Sequence, residues 1–206
     1  MEYYIYNIPV FVVNEPDESV DIAAFCAEVE EYLPEKMLHN VEVVYIGQFR
    51  ELKDRNAMYN NGGIYISSAE PTNFDMLENF IHEVAHSLES DYGMMIYDEE
   101  LVREFKGKRN RLYHILKAEG YHINPILYSF TEYNKKFDNF LANEVGYPTL
   151  LSLTMGLFAS PYGATSIQEY FANGFEKYFL DNPRRVRDIS PVLYRKIEEI
   201  INDDEA

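Results

Sequence analysis

Thr72-Asn73-Phe74-Asp75-Met76-Leu77-Glu78-Asn79-Phe80-Ile81-His82-Glu83-Val84-Ala85-His86-Ser87-Leu88-Glu89-Ser90 decides the reading of this chain. Leu77, Phe80, Ile81, Val84 and Leu88 recur at helical spacing, which predicts a helix with one buried face. Pro71 and Thr72 precede it, and Thr72 with Asp75 makes a capping box at its start. His82 and His86 then project from one side, one turn apart. Two neutral imidazoles held this way can bind one Zn²⁺. Glu83 lies about 100° round the helix from His82. It can therefore stand beside a metal without ligating it and accept a proton from water there. The plainer alternative is a pair of hydrogen-bonded core histidines, and the glutamate between them inside a helical segment favours the metal.

The rest of the composition bounds what such a site could serve. The 206 residues suit one domain with a proper hydrophobic core. Lys and Arg number 18 against 35 Asp and Glu, a formal charge of −17. That acidity argues against nucleic acid or an anionic membrane as partner and favours a cationic ligand or basic peptide, although solubility alone could account for it. The single cysteine, Cys26, excludes an intramolecular disulfide and reads as a buried, inert thiol. Met1-Glu2-Tyr3-Tyr4-Ile5-Tyr6 lacks the basic start and apolar run of a secretory signal, and no segment has the length of a membrane span. The expectation is a cytoplasmic protein, unless it leaves by lysis, dedicated secretion or a phage particle.

Outward from the metal helix, the N-terminal side reads as α/β. Tyr3 to Val13 is β-rich, Ser19 to Leu33 is a helix closed by Pro34, and Val41 to Ile46 is a short strand. Asn60-Asn61-Gly62-Gly63 is a turn signal before a strand at Ile64–Ser67. Short strands flanked by turns favour a sheet edge, and an edge strand before the metal helix could pair with an extended peptide. On the C-terminal side the chain looks mostly helical. Arg103, Lys106, Lys108, Arg109 and Arg111 crowd the stretch Glu99 to Ala118, read first as a solvated helix face and second as an anion-contacting patch. Further helices are expected over Thr131–Ala142, from Pro148 through Leu157, from Thr165 or Ser166 to Leu180, and from Pro191 into an acidic, frayed tail at Asp203-Asp204-Glu205.

Two histidines and a water leave a catalytic zinc one protein ligand short. A histidine six residues beyond His86 would supply it, but that position is Tyr92. His114 and His122 have no supporting pattern. The best carboxylate is Glu169, near the start of a helix, with Glu176 one heptad later on the same face. Ser166 with Glu169 also matches a capping box, in which the glutamate serves only the backbone; Thr165 with Gln168 could form that box instead.

His82-Glu83-x-x-His86, Tyr162 and Glu169 together resemble the catalytic domain of anthrax toxin lethal factor and the related Pro-Pro endopeptidases. That group pairs an H-E-x-x-H helix with a tyrosine followed seven residues later by a glutamate in an E-x-F-A helix. Here 169 − 162 = 7, and the helix reads Glu169-Tyr170-Phe171-Ala172. Gly63-Ile64-Tyr65-Ile66-Ser67 resembles the group's strand before the metal helix. The resemblance implies an α+β zincin-like fold and a zinc-dependent endopeptidase. It implies Zn²⁺ held by His82, His86 and Glu169, with Glu83 as general base. Tyr162 would hydrogen-bond the developing oxyanion, and residues 63–67 would bind the substrate. The departure is the gap of 169 − 86 = 83 residues between second histidine and glutamate. The expected organisation is one catalytic domain: residues 1–90 as the α/β part, 91–157 as a helical insertion, 158–206 as helices bearing the third ligand. The rivals are a zincin-shaped binding or structural module that cleaves nothing, such as a phage component, and a fold with no metal.

Overall fold

The computed structural model describes residues 2–53 and 55–203. The chain is α+β: among the described residues five short strands form one small mixed sheet, and eight α-helices make up most of the remainder. It divides into two compact units, the first running to Asp91 and the second spanning Tyr92–Asn202.

In the first unit, β1 (Tyr3–Ile5) and β2 (Ile8–Val12) form an antiparallel hairpin. Tyr6 turns it with φ 52°, unusual for a bulky residue, and is held by its hydroxyl, which donates to the carbonyls of Glu30 and Leu33. α1 (Ile22–Tyr32) starts at Asp21, whose carboxylate accepts from the amides of Ala23 and Ala24. β3 (Val43–Gly47) lies parallel to β2, β5 (Gly63–Ser67) lies parallel to β3, and β4 (Ala57–Asn60) pairs antiparallel with β5. The order is β1-β2-β3-β5-β4.

That order corrects the expected edge at residues 63–67. β5 is an inner strand with a partner on each side, so Gly63, Ile64, Tyr65, Ile66 and Ser67 have no free backbone row to offer a peptide. The edge on that side is β4, only four residues long. It is joined to β5 through Asn61 (φ 46°) and Gly62 (φ 82°), the positive pair that a two-residue hairpin turn requires.

One face of the sheet buries Val10, Val44, Ile46, Ile64 and Ile66. Phe25 of α1 meets Phe80 of α2 edge to face, with ring centroids 5.8 Å apart. The opposite face carries Phe11, Tyr45 and Tyr65 stacked across neighbouring strands. Cys26 is buried, and burial pushes its thiol up to about 11, an inert group as expected. α2 (Asn73–Ile96) has the expected start: Thr72 Oγ1 accepts from the Asp75 amide at 3.1 Å and donates to the Asp75 carboxylate. It continues six residues beyond Ser90, because nothing in Asp91–Ile96 interrupts it.

The second unit is built from α3 (Glu99–Ala118), α4 (Lys135–Asn139), α5 (Tyr147–Leu153), α6 (Ile167–Leu180), α7 (Pro183–Ile189) and α8 (Pro191–Ile201). α4 continues into a π-helical turn, Phe140–Val145, that ends at Gly146 with φ 83°. α3 packs on both α6 and α8, so the helix rich in Lys and Arg shares a core with the helix bearing Glu169. Gly174 permits the close approach of α6 and α8, since a Cβ there would meet Leu193 Cδ2 at 2.3 Å. Glu104 of α3 accepts from the amides of Val192 and Leu193 and from the Tyr170 hydroxyl, which ties α8 and α6 to α3.

The reading of α3 as a solvated basic face is corrected at two positions. Lys108 and Arg109 are buried. Lys108 Nζ donates to the carbonyls of Leu157 (2.6 Å) and Ile189 (2.7 Å), and burial presses its ammonium down to about 8. Burial likewise presses Arg109 down to about 9, which leaves it cationic at neutral pH. Among the described residues no helix is long and apolar enough to cross a membrane. Of the acidic tail, Asp204 and Glu205 lie outside the described residues.

Candidate metal centre

α2 presents its functional side chains from its partly buried stripe. Ile81, Val84, Ala85 and Leu88 are buried, while His82, Glu83, His86 and Glu89 are each half-buried. The His82 and His86 rings lie 5.0 Å apart by centroid, as the i, i+4 spacing requires. His86 Nδ1 lies 2.6 Å from Glu89 Oε1. In a neutral ring, a carboxylate at that distance favours the proton on Nδ1, which leaves Nε2 as the nitrogen able to ligate a metal. The sequence pattern marks Glu89 only through its place three residues beyond His86 on the same helix.

Glu83 is held by the sheet. Its Oε2 accepts the Tyr59 amide at 2.7 Å, and Tyr59 belongs to the edge strand β4. The Tyr59 hydroxyl in turn donates to the Asn40 carbonyl at 3.1 Å. The amide at Tyr59 therefore points away from β5, whereas the Asn56 carbonyl accepts from Ser67 on the β5 side.

In the second unit, Tyr162 lies in a single 3₁₀ turn, Pro161–Ala164, and is 38% exposed. Its ring meets Tyr147 edge to face at 6.2 Å. α6 is capped by Ser166, whose Oγ accepts the Glu169 amide at 3.1 Å; Thr165 instead turns its hydroxyl back to the Tyr162 carbonyl at 2.8 Å. Glu169 thus spends its main-chain N–H on the cap. Its carbonyl accepts Asn173 Nδ2 at 2.8 Å, one turn on. Asn173 also meets the Ser160 hydroxyl, so both ends of the Tyr162 turn are tied to the first turns of α6. Glu176 is buried and pairs with Lys177 at 2.8 Å.

His82, His86 and Glu169 each offer a ligand atom, and these three atoms all lie within 4.8 Å of one another. Among the described residues this is the one such group of three or more His, Cys, Asp or Glu; Glu176, His114 and His122 are not members. Two imidazoles and a carboxylate so placed could hold a metal ion. No protein-family model, curated protein or solved structure matches the chain.

Proposed function

We propose that this protein is a zinc-dependent endopeptidase of zincin-like fold, with His82, His86 and Glu169 as the metal ligands. The observation that carries the reading is the convergence of those three ligand atoms beside a glutamate on the same helix as both histidines. Bound Zn²⁺ would supply Lewis acidity, polarising a peptide carbonyl and lowering the pKa of a water.

The protein groups supply the rest. Glu83 is the general base: it takes the water's proton and returns it to the departing amine. The Tyr59 amide fixes one oxygen of that carboxylate and leaves the other for the reaction. Glu89 holds the His86 ring. Tyr162 keeps the role implied by the resemblance to the lethal factor group, donating its phenol to the oxyanion. The substrate strand is assigned to β4 in place of 63–67, because β4 is the sheet edge that contacts Glu83; its Tyr59 amide is taken by Glu83, so a peptide would pair with the strand's other outward groups. A peptide or protein is the substrate, and a basic one suits the formal charge of −17.

Digestion of a peptide library by zinc-loaded protein, with and without chelator, is the test. Glu83→Gln should abolish cleavage while leaving zinc bound, and His82→Ala should lose both. Full activity of purified Glu83→Gln would defeat the mechanism. Zinc binding without cleavage of any peptide would leave only a metal-holding binding module.

A further inference from the structure

We infer that Arg109 is a positioning residue for the segment that joins Tyr162 to Glu169, an inference that rests on the metal-site reading above. Arg109 is fully buried in α3, far along the chain from the residues it would serve. Its guanidinium donates to main-chain carbonyls: Nη1 to Ala164 at 2.5 Å and Thr165 at 3.2 Å, Nη2 to Leu127 at 2.6 Å. The Phe137 ring lies beneath it, 3.9 Å from guanidinium carbon to ring centroid. Ala164 is the last residue of the Tyr162 turn, and Thr165 joins that turn to the Ser166 cap.

The chemistry of the contact argues for placement over plain cohesion. An interior cation is costly to desolvate, and an apolar side chain of similar volume often serves stability as well or better. What an apolar side chain cannot do is hold carbonyls in a set direction. The planar guanidinium fork can, and with two nitrogens it fixes the Ala164–Thr165 peptides against the Leu127 backbone. Two further groups of the segment are tied. The Tyr162 carbonyl takes the Thr165 amide and hydroxyl, and the Thr131 carbonyl takes the Ile167 amide. A rotation of the 164–165 peptides would turn the first turn of α6, and the Glu169 carboxylate with it. Arg109 would thus give the stretch Glu99–Ala118, which the resemblance leaves without a role, a part in holding the third ligand.

Zinc affinity, measured by competition with a chromophoric chelator, tests this on wild type, Glu169→Gln, Arg109→Lys, Arg109→Gln and Leu116→Ala. Leu116→Ala is the stability control: a core truncation in the same helix of an apolar side chain, which can donate a hydrogen bond to none of these carbonyls. Arg109→Lys keeps the charge and loses the fork. The expected result is a loss of about 10- to 100-fold in affinity for both Arg109 variants, the scale seen for groups that orient metal ligands, with Leu116→Ala unchanged. Arg109→Lys and Arg109→Gln binding zinc like wild type, while Glu169→Gln binds weakly, would overturn the inference and leave the proposed function intact. An equal loss in Leu116→Ala would reduce Arg109 to general stability and overturn it too. Failure of both Arg109 variants to fold would have the same meaning. Equal affinity of wild type and Glu169→Gln would remove the metal-site reading, and this inference with it.

Discussion

Glu70 is the buried carboxylate whose protonation the fold controls most visibly. It is 3% exposed, just ahead of α2, and burial, with the nearby Asp75 charge, pushes it up to about 7 from an ordinary value near 4.5. The folded state therefore binds the Glu70 proton more tightly than the unfolded chain does. Its contribution to stability is complete below about pH 4.5 and is lost as pH rises through 7. Glu70→Gln should remove that pH dependence and raise stability at pH 8, by up to the order of 2–3 kcal/mol for a shift of this size. Denaturant unfolding of both proteins from pH 4 to pH 8 checks it; parallel pH profiles would refute the assignment. Nothing in Ala69-Glu70-Pro71 signals burial at the level of sequence; it arises from the fold.

At the scale of elements, α2 was legible and its neighbours were less so. The cap at Thr72 and the buried Leu77-Phe80-Ile81-Val84-Leu88 stripe are local properties, readable from adjacent residues. The same local logic put the start of α6 at Thr165 or Ser166, and Ser166 is the cap. The inner place of β5 was not legible. It depends on β4, a strand of four residues behind an irregular run, and pairing is a property of two segments. The burial of Lys108 and Arg109 was hidden for a related reason: their acceptors lie 18 to 81 residues away in sequence. α2 also sets a prediction of its own. Because i and i+3 share a helix face, Glu89 can orient His86 without any other element. Glu89→Gln keeps the shape and weakens the acceptor. Zinc affinity should fall about 10- to 100-fold with little change in helix content by circular dichroism. Unchanged affinity would mean that the His86 ring is held by something else.

Across the whole molecule, composition and pattern were enough for an α+β chain with a small sheet and a predominance of helix, and the structure has that character. They also singled out His82, His86 and Glu169, a group that could hold a metal ion. What pattern could not supply was the support around them: the Tyr59 amide on Glu83, Asn173 on the Glu169 carbonyl, Arg109 under the turn. These are contacts between segments with no shared motif. The most direct measurement of the central claim is zinc-edge X-ray absorption on the zinc-loaded protein and its Glu169→Gln variant, side by side. The account predicts one zinc per chain, with two imidazole nitrogens at about 2.0–2.1 Å and a carboxylate oxygen at about 2.0–2.2 Å that is lost in the variant. No bound zinc, or a coordination shell identical in the two proteins, would contradict it.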